Sequence, residues 1–424
     1  MFGILRSASP VRLGALLFAV AFLVRIAVII FFHPYHDLAR YELERTAISL
    51  ATTGVYGNPY AIPTGPTAHV APGYTLILAA LFHLFGTGTT AEIIKELLAT
   101  AVTSFEIALL PAVAAALSFD RRAGFVAGLI MALYPARPLV EIDGDWETPY
   151  IALALMLAAV LAMRLRKNND LSWKAAIRHG VCWGVALLFV SALLLVFVAL
   201  IFFEAIWRRK QVRPYFAFAL VELAVVAVCL FPWIVRNDLA LGFPVVTRSN
   251  AGIELRISNN DYAVADQREN LQHGLFNRYH PLQSPSEALK VRQSGEIEYN
   301  REARAEATRW ISQHPARFLE LTLGRIRCFW FYIDPTSRVK TIFLWCVSLC
   351  GFAGLVVALR QKSIAGYILG VIVLVYPIPN YLVHVGLRQS YPVEWLMLLL
   401  GAGLLSGALQ RKHARARELV AVSN

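Results

Sequence analysis

The sequence predicts an all-α polytopic membrane protein with about ten transmembrane helices and an external subdomain of mixed or helical structure. Of its 424 residues, 57% are hydrophobic and only 16% are charged, whereas soluble domains contain roughly 25% charged residues. The mean hydropathy is +0.55. The apolar residues form runs that approach the length of about 20 residues needed to cross a bilayer.

The net charge of +12 comes from short basic clusters that separate the apolar runs. Cytoplasmic loops of membrane proteins carry such an excess of Lys and Arg, whereas a nucleic-acid-binding domain presents one basic face. We therefore expect contacts with membrane lipids and none with nucleic acid. The clusters are Arg6/Arg12, Arg121/Arg122, 164–169, 207–213, Arg360/Lys362 and 411–417.

We expect the protein to lie in the inner membrane of the cell, with every basic cluster in the cytoplasm. The chain then crosses the membrane ten times, and both of its termini are cytoplasmic. The apolar run 72–86 must then not cross, and we expect it to lie at the outer interface. The first run contains Arg25 and no small-residue cleavage site, which favours an uncleaved helix over a signal peptide. The crossings are residues 12–32, 93–118, 123–138, 150–164, two short helices within 174–207 that break near Ser191, 213–234, 342–359, 363–378 and 393–410.

This topology divides the chain into three parts. Residues 1–234 form an N-terminal transmembrane module with the first external loop (33–92) and an acidic link (141–149). Residues 235–340 form a large external subdomain, and residues 341–424 form the C-terminal helices and a basic cytoplasmic tail. The external subdomain is expected to begin irregularly at "NAGIELRISNND" and to contain one helix capped by Ser286 and another over 315–332.

The acidic link places Glu141, Asp143, Asp145 and Glu147 between two apolar runs. The dipole of the helix that begins at Thr148 favours carboxylates at its N-terminus, which explains Asp145 and Glu147 better than the other two. The alternating aspartates could also hold a divalent cation or orient sugar hydroxyls. The five cysteines show no metal spacing.

The first loop combines acidic residues with rigid turns. Residues 39–52 favour a helix that Gly54 terminates, and Asp37, Glu42 and Glu44 lie at or before its start. The segments "GNPY", "IPTGP" and "APGY" then return the chain to the membrane.

Several segments, in this order, resemble C-type glycosyltransferases of family 39, which include relatives of protein O-mannosyltransferases and the aminoarabinose transferase of lipid A. They cover most of the chain, and each falls on the predicted external side. The segments are "YE" with "RTAISLATTGVYGNPY", "TGPTAHVAPGY", "LFHLFG", "ALYPARPLVEIDGDWETPYIALAL", "FPWIVRNDLALGFPVVTRSNAGIEL", "HPARFLELTLGRIRCFW" and "HVGLRQSYPVEWLMLL".

The resemblance implies a GT-C helical bundle that transfers a sugar from a polyprenyl-phosphate donor to an acceptor on the external face, with inversion. An external carboxylate acts as the base, which contributes typically 10²–10⁴-fold to such a reaction. Glu42 matches the acidic position of the family, and Glu44 and Asp37 are close alternatives. Asp143 and Asp145 match its second acidic loop.

The remaining site residues are implied by the same resemblance as binders of the donor. No cofactor is expected, although Asp143 and Asp145 leave a divalent cation open. The acceptor is a protein, a lipid or a glycan. The implied binding residues are Glu44, His69, Tyr74, Arg236, Arg388 and Tyr391.

Other classes of membrane protein fit the sequence less well. A transporter or lipid flippase favours internal repeats and ionisable groups at the bilayer midplane, whereas here the acids lie in external loops. A surface-polysaccharide ligase or polymerase would use the same lipid-phosphate chemistry, but with a later loop rich in Arg and His. A membrane scaffold without activity is the third alternative.

Overall fold

The structure, a computed structural model, describes residues 9–36, 40–134 and 144–422, with side chains described up to Leu405. The predicted site residues Asp37 and Asp143, and Glu141, lie outside the described residues. Up to the long external segment the helices are α1 (Pro10–Phe32), α2 (Glu42–Thr53), α3 (Pro72–Phe85), α4 (Thr89–Ala116), α5 (Arg121–Leu133), α6 (Thr148–Asn168), α7 (Trp173–Phe189), α8 (Leu193–Trp207) and α9 (Val212–Leu241).

The rest of the described chain is also helical. The external segment contributes α10 (Ala251–Ser258), α11 (Gln267–Gln272), α12 (Leu275–Tyr279), α13 (Pro285–Ser294), α14 (Glu296–Gln313) and α15 (Pro315–Trp330). The C-terminal part contains α16 (Arg338–Arg360), α17 (Ile364–Val375), α18 (Ile378–Leu382) and α19 (Leu387–Val422).

Each of the ten predicted crossings overlaps a helix, and the predicted all-α membrane fold is confirmed. Within the described residues, six helical segments are long and apolar enough to span a membrane. The apolar run 72–86 forms α3, which has only 14 residues, and its location at the interface stays a prediction. The exact number of crossings stays a prediction.

Local signals set the ends of the helices. Ser9 caps α1 by accepting the backbone N–H of Arg12 at 3.3 Å. The chain leaves α2 at Gly54, where φ is +73°, a conformation that glycine adopts without the Cβ penalty. The predicted break near Ser191 is confirmed, since α7 ends at Phe189 and α8 begins at Leu193.

Three predicted boundaries are wrong. Residues 251–258 form α10 instead of an irregular segment, and α9 continues to Leu241 because polar residues extend the helix beyond its apolar part. Helix α13 begins at Pro285, directly after Ser284, and not after the predicted capping residue Ser286. The first helical position suits proline, because its missing N–H would have no partner there. The helix α10 owes its place to packing: a Cβ on Gly252 would lie 2.0 Å from the carbonyl oxygen of Asn300 in α14.

The transmembrane helices pack around one large apolar core. Helix α1 packs on α4, α7 on α9, and α16 on α19. Small residues permit the close crossings: a Cβ on Gly124 of α5 would lie 2.3 Å from the carbonyl oxygen of Leu110. Large apolar side chains such as Leu23 and Val228 remain exposed, and a surface of this kind is suited to lipid.

The external helices are joined to the first loop by a smaller apolar cluster. Tyr60 of that loop is fully buried against Ile253 and Ile257 of α10 and Tyr299 of α14. This packing places the first loop beside the long external segment, with the acidic link nearby.

Candidate active site

A cavity of about 620 Å³ lies where the external segments meet the transmembrane helices. Its wall includes Glu42 at the start of α2, Trp146 and Glu147 of the acidic link, and Arg388 at the start of α19. The long external segment contributes further polar residues to the same wall, which are Arg248, Asn250, Glu254, Gln267, Arg268, His280 and Gln283. Four segments that are far apart in the sequence thus share one cavity.

Glu42 is paired with a histidine that the sequence analysis did not identify. Its carboxylate oxygen Oε1 lies 3.1 Å from Nε2 of His280. The backbone N–H of Leu282 donates to Nδ1 of the same ring at 3.1 Å, so the proton of the neutral ring resides on Nε2 and is donated to Glu42.

His69 lies on the other side of this pair. The rings of His69 and His280 are perpendicular, with centroids 5.9 Å apart, and Nδ1 of His69 lies 2.9 Å from the hydroxyl of Tyr60. Burial lowers the pKa of His69 well below its usual value of 6.5. Burial therefore favours the neutral ring, and the role in donor binding that the resemblance implied for His69 stays a prediction.

The segment that carries His69 is fixed by the buried Glu296 and the partly buried Arg236. Glu296 of α14 accepts the backbone N–H of Ala68 at 2.7 Å and the hydroxyls of Thr67 and Ser249. Arg236 donates to the carbonyl oxygens of Thr67 and Tyr56, both at 2.6 Å. Arg236 therefore holds the first loop in place, and it does not line the cavity.

Two arginines bring positive charge to the cavity wall. Arg248 donates to the carbonyl oxygen of His69 at 3.0 Å and to Glu147 Oε1 at 3.3 Å. The guanidinium of Arg388 stacks on Trp146, 3.5 Å from the ring centroid. Its Nη1 is buried and has no hydrogen-bond partner within the described residues, which is a costly state for a charged donor unless a ligand supplies the acceptor.

A buried ionic network ties the acidic link to α2 and α4. The Nζ of Lys95 lies 2.6 Å from Glu44, 2.9 Å from Glu92 and 2.7 Å from Asp145. Arg40 contacts Glu44 and Glu92 as well. Three carboxylates thus share two cations.

This imbalance affects the protonation of the network. Burial raises the pKa of Glu44 from 4.5 to about 7, against the opposing effect of Lys95. It raises the pKa of Asp145 too. Near neutral pH one carboxyl of the network is therefore poised to hold a proton.

Two sets of residues contain atoms of the kind that bind a metal ion. Glu42, His69 and His280 bring their ligand atoms within 4.8 Å of one another, but Nε2 of His280 carries a proton as long as Leu282 N–H donates to Nδ1. Asp145, the described member of the predicted cation pair, is occupied by Lys95. The described atoms of both sets are thus engaged by protein groups.

No known protein-family model and no curated protein matches the sequence. The solved structures that are similar include two oligosaccharyltransferases from Archaeoglobus fulgidus, of which the first is described as the archaeal oligosaccharyltransferase AglB. The first, in complex with an inhibitory peptide and a dolichol-phosphate, is 12% identical with a TM-score of 0.56 over 96% of this chain and 52% of that chain. The second, tethered to an acceptor peptide, is 13% identical with a TM-score of 0.55 over 95% and 50%.

The chain has the GT-C fold. It spans about half the length of the two oligosaccharyltransferase chains, and at this identity the similarity concerns the fold. The fold that the motifs implied is therefore confirmed, while the family 39 assignment stays a prediction.

The GT-C fold brings some of the predicted site residues together and separates others. Glu42, His69 and Arg388 line the cavity. Asp145 and Glu44 meet behind its wall at Lys95, and the hydroxyl of Tyr74 donates to the carbonyl oxygen of Gly144. Tyr74 thereby supports the acidic link. Tyr391 lines a separate, smaller cavity with Ser390 and Glu394.

The sequence analysis missed several cavity residues, among them Arg248, Glu254, His280 and His384. Arg248, Glu254 and His384 stand inside segments quoted for the resemblance, "RSNAGIEL" and "HVGLRQ". His280 belongs to none of these segments. Its only signal is that it precedes Pro281 in a polar stretch, which marks a turn.

Proposed function

We propose that this protein is an integral membrane glycosyltransferase, which moves a sugar from a polyprenyl-phosphate donor to an acceptor on the external face of the inner membrane. The GT-C fold supports this proposal, and one AglB structure of that fold contains a dolichol-phosphate. The proposed division of labour follows the three predicted parts. The module 1–234 supplies the base and the acidic link, 235–340 closes the cavity, and 341–424 supplies Arg388.

The observation that carries the proposal is the state of Arg388. A buried guanidinium nitrogen without a partner, beside a cavity at the membrane boundary, is suited to an anionic ligand. Arg248 lies on the same wall and adds a second positive charge. A lipid phosphate fits both features, because its polar end would enter the cavity while its chain stays in the bilayer.

Glu42 is the proposed base. The acceptor oxygen attacks C1 of the sugar, and its proton passes to the carboxylate of Glu42. The bond between C1 and the phosphate oxygen breaks, and the lipid phosphate leaves with the electron pair, stabilised by the arginines. Because nucleophile and leaving group lie on opposite faces of C1, the configuration inverts.

His280 positions the base in this mechanism. Its Nε2–H holds one oxygen of Glu42, and the other oxygen remains for the acceptor. His69 and Tyr60 confine the His280 ring from behind. A fixed carboxylate loses less entropy when the acceptor binds.

The test compares Glu42→Gln with the wild type in transfer from radiolabelled undecaprenyl-phosphate sugars to membrane extracts. Glutamine keeps the shape and the contact with His280 but accepts no proton, so transfer is expected to fall at least about 100-fold. Glu302→Gln, on the exposed face of α14, is the matched control. Full activity of Glu42→Gln contradicts the assignment of the base.

A further inference from the structure

A second pair of a carboxyl group and a histidine lines the same cavity. Oε2 of Glu254 lies 3.8 Å from Nε2 of His384, and neither residue has a role in the mechanism above. The ring of Phe276 separates the two pairs, with centroid distances of 5.6 Å to His280 and 5.2 Å to His384. The wall therefore presents two carboxyl groups on either side of one aromatic ring.

Hydrogen bonds from neighbouring residues also fix the position of the second pair. The hydroxyl oxygen of Ser258 accepts the backbone N–H of His384 at 2.9 Å and lies 2.8 Å from Nδ1 of the ring. When this hydroxyl donates to Nδ1, Nε2 carries the proton and faces Glu254. The buried Arg325 joins the two segments involved, because it donates to the carbonyl oxygens of Ser258 and Leu382.

The carboxyl group of Glu254 differs from that of Glu42 in being available for hydrogen bonds with a ligand. Within the described residues its oxygens have no hydrogen-bond partner within 3.5 Å, and 28% of the side chain remains accessible. Since Glu254 lines the cavity and is otherwise enclosed, this accessible surface opens into the cavity. A ligand can therefore reach it.

The two groups are biased towards their neutral forms. Burial raises the pKa of Glu254 above its usual value, and it lowers the pKa of His384 to about 3. A neutral carboxyl group both donates and accepts hydrogen bonds, and a neutral imidazole donates through Nε2. Sugar hydroxyl groups, which both donate and accept hydrogen bonds, match this set of donors and acceptors.

We propose that Glu254 and His384 form a subsite that binds the hydroxyl groups of the donor's sugar, and that this sugar is an uncharged pentose or hexose. The ring of Phe276 offers an apolar surface to the C–H face of the sugar between this subsite and Glu42. The inference rests on the proposed function, and it names the substrate class of the same site.

The test measures how much the sugar adds to the binding of the lipid. Full-length protein in detergent is titrated calorimetrically with undecaprenyl phosphate and with its glucose, mannose, galactose, arabinose and aminoarabinose derivatives. In the wild type at least one neutral derivative is expected to bind about tenfold more tightly than the bare lipid, as one or two well-made hydrogen bonds provide.

Two variants of Glu254 separate the inference from a structural effect. Glu254→Leu is expected to bind the bare lipid like the wild type and to lose the increment of the sugar. Glu254→Gln, which still donates and accepts, is expected to keep the increment within about threefold. Glu269→Leu on the exposed side of α11 is the control and is expected to change neither affinity.

The inference is overturned if Glu254→Leu keeps the increment, or if no neutral derivative exceeds the bare lipid. It is also overturned if Glu254→Gln is as weak as Glu254→Leu and the aminoarabinose derivative binds best, because the subsite would then be an ionised carboxylate. A wild-type protein that does not bind undecaprenyl phosphate at all contradicts the proposed function itself.

Discussion

Glu42 and Glu254 illustrate how the surroundings of a residue decide its chemistry. Both are glutamates on the wall of one cavity. Both also lie in the first turn of a helix, α2 and α10 respectively. The first has a hydrogen-bond donor at 3.1 Å, whereas the second has a histidine at 3.8 Å and stays accessible from the cavity. This contrast supports the proposed roles of Glu42 as the base and of Glu254 as a binder of hydroxyl groups.

Arg388 gives a prediction about the donor. Arg388→Gln removes the charge whose Nη1 lacks a protein partner, so the affinity for undecaprenyl phosphate is expected to fall about 10- to 100-fold, the loss of a charge-assisted hydrogen bond. Calorimetric titration in detergent measures this change. Arg278→Gln, on an exposed residue outside the cavity, should bind the lipid normally. Equal affinities of the two variants would show that Arg388 does not bind the phosphate.

The tautomer of His280 gives a prediction about metals. Because Leu282 N–H keeps the proton on Nε2, and because Lys95 occupies Asp145, transfer activity is expected to persist in an excess of EDTA. The activity before and after chelation is compared, followed by addition of Mg²⁺, Mn²⁺ or Zn²⁺. A loss that one of these ions restores would show that a cation belongs to the site.

At the scale of elements, the network around Lys95 links α2, α4 and the acidic link. Helix α2 begins with Glu42, α4 is one of the predicted transmembrane helices, and the acidic link contains Trp146 and Glu147. The attachment is buried and made of charges, so its strength depends on protonation. The position of the acidic link relative to Glu42 is therefore coupled to the charge of Glu44.

The pKa of Glu44 predicts how the stability changes with pH. A carboxyl group whose pKa is raised in the fold stabilises it fully below the unfolded value of 4.5, and this contribution is lost as the pH rises through about 7. The loss is on the order of 3 kcal/mol. Glu44→Gln lacks this titration, so its melting temperature relative to the wild type should rise between pH 5 and pH 8.

Thermal unfolding in detergent at several pH values provides the measurement for Glu44. The surface variant Glu302→Gln serves as the reference and should follow the wild type at every pH. A constant difference between Glu44→Gln and the wild type would mean that Glu44 stays ionised throughout.

At the scale of the whole molecule, the charge pattern predicts which ends of the helices are cytoplasmic. Asp170, between α6 and α7, belongs to the inner side, and Ser312, in α14, belongs to the external side. Both residues are exposed. In a protein without its five native cysteines, Ser312→Cys should react with an impermeant maleimide in intact cells, while Asp170→Cys should react only after lysis. The opposite result reverses the topology and places the cavity in the cytoplasm.

The sequence by itself determined the class of the protein and the course of its chain. Apolar runs and basic clusters are local properties, so the helices of the bundle, the break near Ser191 and the end of α2 at Gly54 could all be predicted. The ordered motifs also indicated the GT-C fold and three residues that line the cavity, Glu42, His69 and Arg388.

The tertiary structure alone decided which side chains meet. The pairing of Glu42 with His280, the neutral state of His69 and the use of Lys95 to hold Asp145 involve residues tens to hundreds of positions apart. The hydrogen bonds by which Arg236 holds the first loop likewise depend on residues that only folding brings together. Hydrogen bonding and burial depend on neighbours brought by folding, and no periodicity in the sequence records them.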